Sequence, residues 1–196
     1  MKADLWRLGQ WLVAPDARRR LIRAVKPEDG QILDVGCGPD SLLWAAELEP
    51  TGVDISAEFA RAFRRRSERI VVASATDLPF ADDIFDSVYS FGLLHHLSDA
   101  DATVAVLEML RVTRHGGRTL VLDAVLPLSS WRRPVAALLR HMDRGHWMRR
   151  QEAIEALLSA TGGWRFQRIA YSYTGLEAVV CEHRGISIDT GIGGKA

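Results

Sequence analysis

The sequence predicts an α/β fold, a mostly parallel sheet with helices on both faces. Short apolar runs alternate with helical patterns along most of the chain. The first run passes through a glycine turn into a helical pattern, Ile32–Ser41 reading ILDVGCGPDS. A second run, Thr51–Val53, is closed by Asp54, 20 residues after Asp34.

Taken in order, Ala14–Val25 is a basic amphipathic helix ended by Pro27. Gln31–Gly36 is the first strand, and Ser41–Glu47 a helix closed by Pro50. Gly52–Asp54 is a second strand, and Ser56 is the N-cap of a helix over Ala57–Arg66 with Glu58 in its first turn. Arg69–Ala73 and Ile84–Ser90 are the third and fourth strands, on either side of a turn at Pro79. Asp99–Thr113 is a helix stopped by Gly116–Gly117, with Asp99 and Asp101 as capping acids, and Arg118–Leu122 is the fifth strand. Residues 124–150 are too long for a plain connection and read as a lid. Gln151–Ala160 is a helix ended by Gly162–Gly163, followed by strands Arg165–Ala170 and Ala178–Glu182. One domain therefore spans 1–184, and the Gly-rich stretch 185–196 reads as a flexible tail.

Composition narrows the function. The net charge of the 196 residues is zero, so nothing global favours nucleic acid, and no such partner is expected. Cys37 and Cys181 lie far apart with no Cys/His cluster, so neither a metal site nor a disulfide framework is expected. No apolar run approaches the roughly 20 residues that span a bilayer, and the N-terminus lacks a signal-peptide pattern; a cytoplasmic location follows as the expectation. Oligomeric state is not legible.

The turn after the first strand has the chemistry of a cofactor seat. Gly36 and Gly38 let a ligand approach the main chain, and the N–H groups of the following helix offer a polar seat. Asp54, at a second strand end, suits hydrogen bonding to ribose hydroxyls, so an adenosine-type cofactor is expected. A dinucleotide fingerprint fails because Ser41 stands where its last glycine belongs, and no G-K-[ST] follows to make a P-loop.

The segments LDVGCG, VDIS, ATDLPFADDIFDSVYSFGLLHHL and LEMLRVTRHGGRTLVL together resemble the class I S-adenosylmethionine-dependent methyltransferases, and within them the ubiquinone/menaquinone-biosynthesis branch. The resemblance covers roughly residues 30–123. It implies a Rossmann-like seven-stranded, mostly parallel sheet whose last strand is antiparallel, here with a short lid insertion after the fifth strand. It also implies S-adenosyl-L-methionine as cofactor. Asp34, Gly36 and Gly38 match the motif around the methionine moiety, and Asp54 the acid on the ribose, with Ile55 beside the adenine. Asp77 and Leu78 match the pair facing the adenine amine and ring edge, and Phe91 through His95 the segment beside the reactive methyl. The chain departs from the pattern at Asp40, where a third glycine is frequent and where an acid reads as a helix cap, and in the shortness of the helix that follows. Ser90–Phe91–Gly92–Leu93 fills the place of the Asp/Asn-Pro-Pro-Tyr signature, which disfavours methylation of adenine, cytosine or glutamine.

Acceptor chemistry is read more thinly. A hydroxyl, phenol or carbon acid must lose a proton, and His95, beside His96, is the candidate general base; the alternative is a pair that packs at a strand end. The lid holds Arg132, Arg133, Arg140, Arg144, Arg149 and Arg150 against Asp143 alone. Arg144, Arg149 and Arg150 suit phosphate or carboxylate, and Trp131 and Trp147 suit a ring or a lipid headgroup boundary. The alternative is a solvated face whose arginines pair with acids such as Asp82, Asp83 or Glu152. An N-terminal arm with Leu5, Trp6, Leu8, Trp11 and Leu12 near Arg18–Arg20 repeats the theme. The expected function is methyl transfer to a small-molecule acceptor, anionic or lipid-linked, with peripheral membrane contact as a further expectation. A cofactor-binding protein without catalysis and a protein-modifying methyltransferase are the competing classes.

Overall fold

A computed structural model describes residues 17–128, 146–171 and 176–185 of the chain. Strands β1 (Ile32–Val35), β2 (Thr51–Asp54), β3 (Ile70–Val72), β4 (Phe85–Phe91) and β5 (Thr113–Ala124) pair in parallel, and β7 (Glu177–Arg184) lies antiparallel between β5 and β6 (Trp164–Ala170). The order is β3-β2-β1-β4-β5-β7-β6, so the expected seven-stranded, mostly parallel sheet is present. Strand order reverses between β1 and β4. The crevice beyond the carboxyl ends of those two strands is where open α/β sheets hold ligands.

Helices α1 (Ala17–Val25), α2 (Ala57–Phe63), α3 (Asp99–Val112) and α4 (Gln151–Ser159) cover the sheet. Residues alternate faces along each strand, so each strand feeds two cores. Leu33, Val88, Val121 and Val179 pack with Val106 and Met109 of α3 and Leu158 of α4. Ile32, Tyr89, Leu120, Leu122 and Val180 pack on the other side with Val25 of α1. Among the described residues, no helix is long and apolar enough to cross a membrane.

Three elements differ from expectation. The segment after the glycine turn is a 3-10 helix of five residues, Leu42–Ala46, rather than an α-helix over Ser41–Glu47. It ends because Glu47 takes a left-handed conformation (φ 60°). Helix α3 ends at Val112, and Gly116–Gly117 lie inside β5, where residues 114–117 bulge between the Phe85↔Thr113 and Ser87↔Arg118 pairings. Gly117 is needed there because a Cβ would lie 2.8 Å from the carbonyl oxygens of Asp86 and Arg114. A further 3-10 turn, Leu94–His96, follows β4.

The two flanks of the segment expected to form a lid meet. Val125 and Arg149 form an isolated parallel bridge, and the Leu126 amide donates to the Arg149 carbonyl at 3.0 Å. Trp131 and Arg144, the arm 1–16 and residues 186–196 of the tail lie outside the described residues.

Candidate active site

The cofactor end is assembled on β1 and β2. Asp34 is 1% exposed near the end of β1, and Ser41 Oγ donates to its Oδ2 at 2.5 Å. Its Oδ1 is buried without a hydrogen-bond partner among the described residues. Burial pushes the Asp34 carboxyl up to about 7; the Ser41 bond and Arg18 pull it down, while the nearby Asp54 raises it further. Asp54 ends β2 half-buried, with Oδ2 accepting the Gly38 amide (2.9 Å) and Oδ1 the Ser56 amide (2.8 Å). Burial raises its pKa, opposed by those two amides and by the charge of His96.

The glycine turn is shaped by two different needs. Gly36 (φ +70°) has the Leu93 side chain against it, 2.9 Å from where a Cβ would stand. Gly38 (φ +62°) has open space at that position. Asp40 does not cap the helix: Ser41 does, accepting the Leu43 amide, and Asp40 pairs with Arg18 of α1 at 2.5 Å. The third-glycine position is thereby tied to the N-terminal helix.

Ile55 is 76% exposed beside Asp54, Asp77 is exposed, and Leu78 is buried in the core. Phe91 is half-buried and stacks on Tyr89, with centroids 5.9 Å apart. An orphaned buried carboxylate oxygen, an open glycine backbone, an acid at the β2 end and an exposed aliphatic side chain beside it fit an ammonium, a ribose and a base in that order. These residues suit S-adenosylmethionine.

The facing wall is the turn after β4. His95 is 8% exposed; its Nδ1 lies 2.5 Å from Asp123 Oδ1, and its amide donates to Asp123 Oδ2 at 3.1 Å. The His95 and His96 rings pack 4.1 Å apart. Arg149 holds this turn from below. Its guanidinium donates to the carbonyls of Leu94 (2.7 Å), Leu97 (2.8 Å) and Trp147 (3.1 Å) and contacts Asp99 through both Nε and Nη2. Four hydrogen bonds and the Asp99 ion pair thus engage the guanidinium inside the fold, which withdraws Arg149 from the group expected to meet an acceptor anion. Asp99 is its partner rather than a cap; the α3 cap is Ser98, which bonds reciprocally with Asp101. Among the described residues, Asp82 pairs with Arg111. Arg150 is exposed at the start of α4, and Trp147 is 49% exposed with its amide on the His95 carbonyl (3.0 Å).

Ser41 and Asp123 were not among the residues expected here. Asp123 sits where β5 ends and carries the same signal as Asp54, an acid terminating an apolar run. Ser41 was legible only as a missing glycine.

Sheet order, glycine turn and the two strand-end acids, together with a methyltransferase family match, support a class I S-adenosylmethionine-dependent methyltransferase fold for this chain. Residues 33–121 match the family model described as a methyltransferase domain. The chain is 37% identical over 129 residues to a demethylmenaquinone methyltransferase of Mycobacterium marinum, covering 63% of this chain and 53% of that protein. It is 33% identical over 100 residues to a tRNA (carboxymethyluridine(34)-5-O)-methyltransferase of Arabidopsis thaliana, covering 48% of this chain and 24% of that protein. A crystal structure of an S-adenosylmethionine-dependent methyltransferase from Thermotoga maritima shares the fold, with TM-score 0.73 and 18% identity over 93% of this chain and 97% of that one. The chain spans from about a quarter to just over half the length of the curated relatives it matches. Because relatives named for tRNA stand beside those named for a quinone, zero net charge does not by itself exclude a nucleic-acid acceptor.

Proposed function

We propose that the chain transfers a methyl group from S-adenosylmethionine to a small aromatic acceptor of quinone type, with His95 as general base and Asp123 fixing it. The observation that carries this reading is the packing of Leu93 on Gly36, which sets the His95 turn directly against the glycine turn. When bound, S-adenosylmethionine supplies a methyl on a sulfonium, already an activated leaving group.

The chain's own residues would hold and orient. Asp34 and the Gly36–Gly38 backbone receive the methionine end, Asp54 the ribose, and Ile55, Asp77 and Leu78 the base, with Phe91 at the reacting side. Positioning of this kind contributes on the order of 7–11 kcal/mol in favourable cases. The Asp123 carboxylate on Nδ1 favours the tautomer with the proton there, making Nε2 the basic atom that takes an acceptor's hydroxyl proton. The exposed indole of Trp147, whose backbone amide bonds the His95 carbonyl, supports a ring acceptor, as does the likeness to demethylmenaquinone methyltransferases. Arg150 stands on the proposed acceptor side, and Arg144 and Trp131, outside the described residues, are assigned by sequence to binding an anionic or lipid-linked group.

The test offers radiolabelled methyl on the cofactor with a demethylated naphthoquinol or with bulk tRNA. Label in the organic phase is expected. Label in tRNA moves the assignment to the second set of relatives, and binding without transfer to either leaves a cofactor-binding protein. His95→Ala should lower turnover by about a hundredfold while cofactor binding persists. Loss of thermal stability with turnover retained would make the histidine structural.

A further inference from the structure

Two side chains of α3, three residues apart and so on one face of the helix, reach the loop between β3 and β4. Glu108 Oε2 accepts the Leu78 amide at 2.8 Å. Arg111 donates to the carbonyls of Leu78 (3.1 Å) and Phe80 (2.8 Å) and to the Asp82 carboxylate (2.7 Å). It also bonds both oxygens of Glu108, each at 2.7 Å. One ion pair therefore holds Leu78 by its N–H and its C=O together. Every N–H of the guanidinium is engaged, and the Arg111 hydrogen bonds keep the Glu108 carboxyl below the usual range.

The loop this pair grips has no regular structure between Ala73 and Ile84 and carries Asp77 and Leu78. Bidentate, charge-assisted contacts fix both distance and orientation. We infer that Glu108 and Arg111 are positioning residues for base recognition, fixing the Leu78 backbone and with it the place from which the neighbouring Asp77 discriminates the exocyclic amine of adenine. This rests on the reading of Asp77 and Leu78 as the adenine contact.

The experiment measures binding of S-adenosylhomocysteine and S-inosylhomocysteine by calorimetry, since the two differ only on the edge of the base that Asp77 would face, the 6-amino group and N1 acceptor of one becoming the 6-oxo group and N1–H of the other. Glu108→Gln keeps an acceptor for the Leu78 amide but drops the charge that holds Arg111, and Arg111→Lys keeps the charge but loses the fork. Each should reduce the adenosyl-over-inosyl preference by about fivefold or more, the equivalent of roughly 1 kcal/mol. Val104→Ala, on an exposed position of the same helix, should leave the ratio alone. Asp77→Ala separates the underlying reading from the inference. If Asp77→Ala lowers the preference while Glu108→Gln and Arg111→Lys lower only the melting temperature, the pair is structural and the inference is overturned. If Asp77→Ala has no effect, Asp77 does not read the base, and the inference falls with that reading whatever the α3 variants do. An unchanged ratio in all three removes both.

Discussion

Ser41 Oγ donates to Asp34 Oδ2 at 2.5 Å and accepts the Leu43 amide at 3.2 Å, so one hydroxyl both caps the 3-10 helix and steadies the buried acid. The other Asp34 oxygen has no hydrogen-bond partner among the described residues, and burial holds this carboxyl near 7 in place of its usual 3.8. Between about pH 4 and 7 the folded chain keeps a proton that the unfolded chain has released. Its contribution to stability is therefore present at low pH and is lost as pH rises towards 7.

Cofactor binding should have the opposite dependence. A ligand ammonium favours the carboxylate, so affinity for S-adenosylhomocysteine should rise from pH 5.5 to 7 by up to about tenfold per pH unit, with proton release on binding. Calorimetry in two buffers of different ionisation enthalpy measures that release. Asp34→Asn should abolish it, and equal release from that variant would place the proton elsewhere.

Asp54→Ala should weaken cofactor binding by about tenfold to a hundredfold, as expected for loss of hydrogen bonds to a charged group at roughly 1.5–3 kcal/mol each. The same change also frees the Gly38 and Ser56 amides. An unchanged dissociation constant in a folded variant would remove Asp54 from the ribose.

Gly36→Ala and Gly38→Ala should separate two demands on one turn. Both positions have positive φ, which costs an alanine about 1–2 kcal/mol. Only Gly36 also meets Leu93, so its denaturation midpoint should fall further, and Leu93→Ala should recover part of the difference. Gly38→Ala should instead reduce cofactor affinity by filling open space. Equal effects of the two substitutions on both readouts would contradict this division.

Arg149→Met should destabilise the fold by about 2–4 kcal/mol, because three carbonyls lose their donors. Arg150→Gln, at an exposed position, should stay within about 0.5 kcal/mol. Chemical denaturation compares them. A stable Arg149→Met protein with a raised acceptor KM would return Arg149 to the acceptor side.

Much of the fold was legible because strand and helix periods differ and are interrupted by turn residues. The strand-end acids stood out because a charged residue closing an apolar run is conspicuous. Other features depend on tertiary pairing that no local pattern records. Asp40 resembles a cap until Arg18 arrives from another element, and Arg149 resembles a solvent-facing charge until Leu94 and Leu97 turn their carbonyls to it. Gly116–Gly117 read as a helix stop, yet their role is a bulge set by the approach of Asp86.

The bridge between Val125 and Arg149 means that the polypeptide departs and returns at a shared doorway. A chain whose two ends are already joined tolerates rewriting between them: doubling its length costs only about 0.6 kcal/mol in closure entropy. Changes in length between the two residues therefore need not reach the sheet or the strand ends that carry Asp34 and Asp54.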